Sequence, residues 1–214
     1  MKNPEISVIT AVYNREAYIN RALDSLLKQT VDNWELIAID DGSTDKTLKI
    51  LLAYQRRFNN FTVVSKKHKN LSASRNDGIE ISRGKFITFL DSDDELLPEH
   101  LELRYKIMIT NPEIDLLHGG VTIIGDEFVA DRENPEKIIP LSDCVIGATF
   151  FGKRKVFDSL DGFDEIAYGE DSKFLEKALK VFKVKKIDYP TYIYHRDTPD
   201  SITNKIRLTK KISL

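Results

Sequence analysis

Asp91 and Asp93, two apart in "FLDSDDELLP", are the chain's clearest chemical signal. They follow the apolar residues Phe86, Ile87, Phe89 and Leu90, and Asp94 and Glu95 crowd in behind them. Like charges this close repel unless water, hydrogen-bond donors or a cation separates them. If strand geometry persists through the tripeptide, Asp91 and Asp93 project to the same side. Two such carboxylates suit Mg²⁺ or Mn²⁺, hard ions that take oxygen ligands and often bridge to phosphate. A solvated acidic turn is the ordinary alternative, because carboxylates are mostly exposed.

Other residues carry weaker signals, each with a plainer reading beside it. Glu170 and Asp171 open a predicted helix at "GEDSKFLEKAL", where the helix dipole keeps a carboxylate ionised and able to accept a proton. Stabilisation of the helix start is the plainer reading. Arg75 sits early on a short helix among Ser72, Ala73 and Ser74, placed to reach a diphosphate or to make a surface ion pair. Tyr13 offers an aromatic face to a nucleotide base, or fills a core position. Asp40 and Asp41 supply an acceptor for the imide N–H of uracil, or only form the turn before "GST". His195, after "YIY", is a third ligand for the ion or a hydrogen-bonded rim residue. Ser201 in "DTPDSIT" sits where a loop would close over a diphosphate. His68, His100 and His118 show no ligand spacing.

These residues need a scaffold, and the first half of the chain supplies an alternating one. "ISVITAVY", "WELIAID", "FTVVSK" and "KFITFL" read as short buried strands. Between them lie a helical stripe at Ile19, Ala22, Leu23, Leu26 and Leu27, a helix capped by Ser43 or Thr44, and the helix "SASRNDGIEIS". Such alternation calls for a parallel sheet with helices on both faces, and ligands gather at the carboxyl ends of its strands. Those ends read "YNRE", "DDGST" and "DSDD", so the polar clusters are expected on one crevice. The second half is less regular. A helix begins after Pro98, and "IDLLHGGVTIIG" reads as a strand with a double-glycine interruption. "DEFVADRENPEKIIP" reads as a loop or edge hairpin, "ATFF" as a strand, "KRKVFDSL" as a helix and "KKIDYPTYIYH" as a final strand. Residues 1–110 and 111–214 are expected to be two halves of one compact domain, the first holding a ligand at its strand ends and the second forming the wall that holds a second substrate.

Composition narrows the classes. The 214 residues are 41% hydrophobic and 31% charged, with a net charge of −2, enough for one substantial core and without the basic excess of a nucleic-acid binder. The single cysteine, Cys144, excludes an internal disulfide, suits a reducing compartment and reads as a buried filler. No apolar run approaches the ~20 residues that span a bilayer, and the N-terminus lacks a signal-peptide core, so a cytoplasmic protein is expected. The end carries Lys205, Arg207, Lys210 and Lys211 among Ile206, Leu208 and Ile212. A frayed basic tail is the preferred reading, and a foot on the membrane surface is the other.

"SVITAVYN", "IAIDDGSTDKT", "SASRNDGI" and "FLDSDDELLP", in this order, resemble the inverting family-2 glycosyltransferases with the GT-A fold. The resemblance is close over roughly the first half and resumes at "GFDEIAYGEDSKFLEKAL", which looks like that family's acceptor-side motif. It implies an α/β, Rossmann-like nucleotide-diphospho-sugar transferase fold, a single domain whose mostly parallel central sheet is flanked by helices. It also implies a role at each matching position. Ala11, Val12 and Tyr13 would pack against the base of a nucleotide-diphosphate sugar, UDP-linked by preference, and Asp40 would hydrogen-bond it. Arg75 would steady the pyrophosphate, Asp91 and Ser92 would contact the nucleotide, and Asp93 would bind Mn²⁺ or Mg²⁺, with His195 as a further ligand. Asp171 would be the general base, with Glu170 and Tyr168 on the acceptor, which is a saccharide, a lipid-linked group or another hydroxyl compound.

Tyr168 stands where the family often has tryptophan, which alters the acceptor platform. The chain lacks the membrane segments and long extensions of processive members, which argues for single-sugar transfer. A non-catalytic partner subunit that binds nucleotide sugar would keep Tyr13, Asp40 and Asp93 without needing Asp171. A nucleotidyltransferase is disfavoured, because "AVYNREAYI" has no glycine for a phosphate loop.

Overall fold

The β-branched runs of the first half form β1 (Ile6–Val12), β2 (Trp34–Asp40), β3 (Phe61–Ser65) and β4 (Phe86–Phe89). They lie in the order β3-β2-β1-β4 with every pairing parallel, so the ends of β2, β1 and β4 are neighbours. Helices α1 (Ile19–Leu27), α2 (Thr47–Gln55) and α3 (Leu71–Ile81) make the crossovers. In α1 the stripe of Ile19, Ala22, Leu23 and Leu26 is buried, as the period of 3.6 requires. The computed structural model describes residues 3–58, 60–132, 134, 136–166 and 168–198.

After β4 come β5 (Glu95–Leu96), α4 (His100–Thr110), β6 (Leu116–Ile124), β7 (Phe128–Ala130), β8 (Ile138–Pro140), β9 (Phe151–Lys153), α5 (Arg154–Ser159), α6 (Glu170–Val181) and β10 (Val184–His195). The large sheet continues as β4-β9-β6-β10-β5. Strand β9 runs antiparallel to both β4 and β6, β10 is parallel to β6, and β5 is antiparallel to β10. The sheet is thus parallel through its first half and mixed beyond. The expected edge hairpin is a separate two-stranded sheet, β7 with β8. "ATFF" is largely a 3-10 turn, Gly147–Thr149, and the strand begins only at Phe151.

Apolar side chains fill both faces of the sheet. Ile6, Val8, Leu36 and Ala38 pack with α1, α2 and α4 on one face. Ile9, Ile87 and Phe89 meet Phe150, Phe157, Phe163 and Phe174 on the other. Helix α3 can press on β1 because residue 78 is glycine: a Cβ there would lie 2.4 Å from Ile9 Cγ2. Neither Ser43 nor Thr44 caps helix α2, whose N-cap position is Lys46 without a side-chain cap bond. Asp45 Oδ1 accepts the Thr47 N–H at 2.9 Å, while Ser43 and Thr44 face Asn14 across the strand ends. Ser43 Oγ accepts the Asn14 N–H, Asn14 Oδ1 accepts the Thr44 N–H, and Thr47 Oγ1 accepts the Arg15 N–H. The loops after β1 and β2 are therefore zipped together.

Ser201 and the basic C-terminal stretch lie outside the described residues. Among the described residues no helix is long and apolar enough to cross a membrane.

Asn76 on α3 anchors the second half to the first. Its Nδ2 donates to Phe163 O and its Oδ1 accepts the Phe163 N–H, each at 2.8 Å. Asn76→Ala leaves both Phe163 backbone groups without these partners. It should cost about 1–3 kcal/mol, measured as a lower denaturation midpoint in urea.

Candidate active site

A cavity of about 1140 Å³ opens at the carboxyl ends of β1, β2 and β4. One wall carries Ala11, Val12, Tyr13, Arg75, Asp91, Ser92 and Asp93, and the other carries Tyr168, Glu170 and Asp171. All ten were expected at the site from sequence. Asp40 and His195 were expected too, and neither lines this cavity.

Arg75 joins the two walls. Its guanidinium donates from Nη2 to Asp91 Oδ1 at 2.8 Å and from Nη1 to Glu170 Oε1 at 3.2 Å. The group is buried and lies over the rings of Phe89 and Phe163, 5.6 and 5.4 Å from their centroids. Desolvation opposes its charge, yet the carboxylates of Asp91 and Glu170 raise its pKa above the ordinary arginine value. The expected diphosphate ligand is thus, in this structure, the link between the acidic turn and the start of α6.

The acidic residues after β4 have separate fates. Asp91 is held by Arg75. Asp94 is fully buried and accepts from Tyr192 Oη at 2.7 Å and from the His195 N–H at 2.8 Å. Asp93 turns to the cavity, its Oδ2 3.8 Å from Arg15 Nε, while its carbonyl accepts from Arg21 Nη2. Burial and the Asp91 charge push the Asp93 pKa up to about 6, outweighing Arg15. His195 does not join it: Nε2 meets Glu95 Oε1 at 2.9 Å and Nδ1 meets Asp197 Oδ1 at 3.2 Å. Both ring nitrogens are committed to carboxylates beside β10, so the structure does not bring His195 to Asp93.

Asp171 stands on the first turn of α6. Gly169, the N-cap, holds φ +81°, a left-handed conformation that glycine adopts without strain. Asp171 Oδ2 accepts the Gly147 N–H at 3.1 Å, and Oδ1 accepts the Ser172 N–H at 2.7 Å. Burial and the adjacent Glu170 push its pKa up to about 6 against the pull of Arg75. Tyr168 donates its hydroxyl to Ala130 O at 3.1 Å, tying this wall to β7.

At the far end, Tyr13 stacks on His68 with centroids 4.0 Å apart and planes 19° apart. Asp41 lines the cavity there, its Oδ2 2.8 Å from His68 Nδ1 and its Oδ1 accepting the Lys69 N–H at 3.0 Å. Asp40 turns the other way: Oδ2 accepts from Ser65 Oγ at 2.8 Å and Oδ1 from the Ser43 N–H at 3.2 Å. Of the two aspartates it is Asp41, not the expected Asp40, that lines the cavity. Asp40 is the last residue of β2 and pairs with Ser65 of β3, so its side chain stays within the sheet's own bonding. "DDGST" alone cannot say where the strand ends, and that end decides which aspartate faces out. His68 and Arg15 are further cavity residues not assigned from sequence. Their signal is positional, since each follows a strand end on the same edge of the sheet.

The profile described as glycosyl transferase family 2 matches residues 7–160. The putative glycosyltransferase EpsH of Bacillus subtilis (strain 168) is 45% identical over 164 residues, 73% of this chain and 46% of that protein. The Escherichia coli UDP-Glc:alpha-D-GlcNAc-diphosphoundecaprenol beta-1,3-glucosyltransferase WfgD is 35% identical over 147 residues, 66% of this chain and 57% of that protein. The chain thus spans about half the length of these two relatives. Its fold is like that of S. aureus TarS 1-349 in complex with UDP-GlcNAc, with TM-score 0.73 and 24% identity over 90% of this chain and 58% of that one.

The raised pKa of Asp171 ties the site to stability. A carboxyl whose pKa is higher in the fold than in the unfolded chain stabilises the fold while protonated, and that contribution is lost as pH rises from about 4 through about 6. Asp171→Asn, neutral at every pH, should melt about 2–5 °C above the parent at pH 7.5 and level with it at pH 4. Paired melting curves at the two pH values check this.

Proposed function

Because the chain belongs to glycosyl transferase family 2, we propose that it moves a single sugar, with inversion, from a nucleotide-diphosphate donor to an acceptor hydroxyl, aided by a divalent cation. The observation that carries this reading is a pair of carboxylates, Asp93 and Asp171, both raised to about 6 and reaching one cavity from its two walls. In the reaction the base lies against Tyr13 and His68, and Asp41 accepts its N–H. The acceptor hydroxyl attacks the sugar carbon on the face opposite the departing diphosphate, and Asp171 takes the hydroxyl proton. A general base so placed contributes about 10²–10⁴ in rate, and a pKa just under neutrality leaves it ionised yet basic at pH 7. One displacement on that face inverts the sugar carbon.

The residues fit a divalent cation. Asp91 is engaged by Arg75 and Asp94 by Tyr192, which leaves Asp93 facing the cavity with a charge that burial opposes. One carboxylate together with substrate phosphates and water is a common ligand set for Mg²⁺ or Mn²⁺. When bound, the cation supplies Lewis-acid stabilisation to the leaving diphosphate. His195 is not part of this set.

UDP is favoured as the carrier by the name of WfgD and by the UDP-GlcNAc complex of TarS. The name of WfgD also specifies a lipid-linked acceptor, and here Val129, Ile139, Leu141, Ile146, Leu175 and Leu179 give the cavity an aliphatic side. That side supports an acceptor with an apolar group near its hydroxyl. The single cysteine fits a reducing, cytoplasmic setting.

A binding-only partner subunit would have no use for a raised carboxylate on the acceptor wall, and Asp171→Asn separates the readings. Transfer should fall about 10²–10⁴-fold while Mn²⁺-dependent UDP affinity stays level with the parent, by product assay and calorimetry. Normal turnover would remove Asp171 as the base. Asp93→Ala should abolish the Mn²⁺ dependence of UDP affinity. In the parent that dependence should weaken below pH 6, because a protonated carboxylate does not bind the ion.

A further inference from the structure

We propose that Tyr192 is a positioning residue which, through Asp94, sets the turn Asp91–Asp94 so that Asp93 faces the cation. The inference rests on the reading of Asp93 as the cation's ligand.

Tyr192 is fully buried on β10, between Leu96 of β5 and Val121 of β6. A phenol there needs a partner for its hydroxyl, and it has two. Tyr192 Oη accepts the Asp91 N–H at 3.2 Å and donates to Asp94 Oδ2 at 2.7 Å. One hydroxyl thus touches the first and last residues of the turn. The turn's own closing bond, Asp94 N–H to Asp91 O, is 3.2 Å long. Asp94 Oδ1 accepts the His195 N–H, which pins the turn to β10 a second time. The ring is steadied by His100, edge-on at 6.1 Å between centroids. With the ends fixed, Ser92 and Asp93 face the cavity, whereas neither Tyr192 nor Asp94 lines it. Tyr192 therefore affects a ligand through the turn, of which Asp91, Ser92 and Asp93 line the cavity. Groups that orient a metal ligand typically carry 10–100-fold of metal affinity.

A purely structural tyrosine gives a matched control. Tyr54 Oη donates to Asp24 Oδ1 at 2.8 Å, a bond of the same kind joining α2 to α1 outside the cavity. Tyr192→Phe should weaken Mn²⁺ binding about 10–100-fold, measured with MnCl₂ and UDP by electron paramagnetic resonance, and leave UDP affinity in EDTA within about twofold. Tyr54→Phe should lower the melting point and leave Mn²⁺ affinity unchanged. Should Tyr192→Phe fail to fold, Asp94→Asn carries the same expectation: it keeps an acceptor for the His195 N–H but sets an amide donor against Tyr192 Oη. Parent-like Mn²⁺ affinity in the folded variant, or an equal loss in Tyr54→Phe, would overturn the inference. Mn²⁺-independent UDP binding by the parent would instead overturn the reading of Asp93 on which it rests.

Discussion

The arrangement turns on a buried guanidinium. Arg75 places one positive charge between Asp91, at the end of β4, and Glu170, at the start of α6. Taken out of water, a cation so deep is tolerable only when paired and hydrogen-bonded, and each carboxylate needs it for the same reason. The triad therefore fixes the distance between the wall built by the first half and the wall built by the second. Everything that meets across the cavity inherits that spacing, including Asp93 and Asp171. The rings of Phe89 and Phe163 close over the guanidinium, so the ionic link and the apolar core are a single contact.

Three aspartates within four positions differ in what they do because they differ in their partners. Asp91 is neutralised by an arginine, Asp94 is enclosed with a phenol and a backbone N–H, and Asp93 keeps its charge against burial. Asp171 bears a similar penalty on the opposite wall. Asp93, Asp94 and Asp171 are all held above the ordinary carboxylate pKa, a cost in stability, and Asp93 and Asp171 are the two of the three that line the cavity. Strain of this kind is stable only because the surroundings are over-determined, as the doubly tethered turn at Asp91–Asp94 illustrates.

How much of this was legible in the sequence follows from the range of the forces involved. Short β-branched runs and a period-3.6 stripe are local, so β1 to β4 and α1 to α3 could be read directly, and their topology sends three polar clusters to one edge. Strand ends are less local. The choice between Asp40 and Asp41 depends on where β2 stops pairing with β3, and neither Ser43 nor Thr44 caps α2 because both bond to Asn14 across the strand ends. The antiparallel insertion of β9 between β4 and β6 was hidden, since a three-residue strand leaves almost no periodicity. His195 looked like a ligand because it ends a strand. Its partner Glu95 was invisible until β5 and β10 paired, whereas Asp197 lies only two residues along the chain.

The two walls are also built from different materials. One wall rests on the parallel strands β1, β2 and β4, and its side chains emerge from the ends of those strands. The other wall is a 3-10 turn, a helix start and a separate hairpin, and the turn is bonded to the large sheet through side chains: Thr149 Oγ1 accepts the Gly119 N–H and Thr88 Oγ1 donates to Phe150 O. A rigid wall suits a nucleotide diphosphate, whose shape is the same whichever sugar it carries. On the second wall Asp171 is held in place by the N–H of Gly147, the first residue of that 3-10 turn.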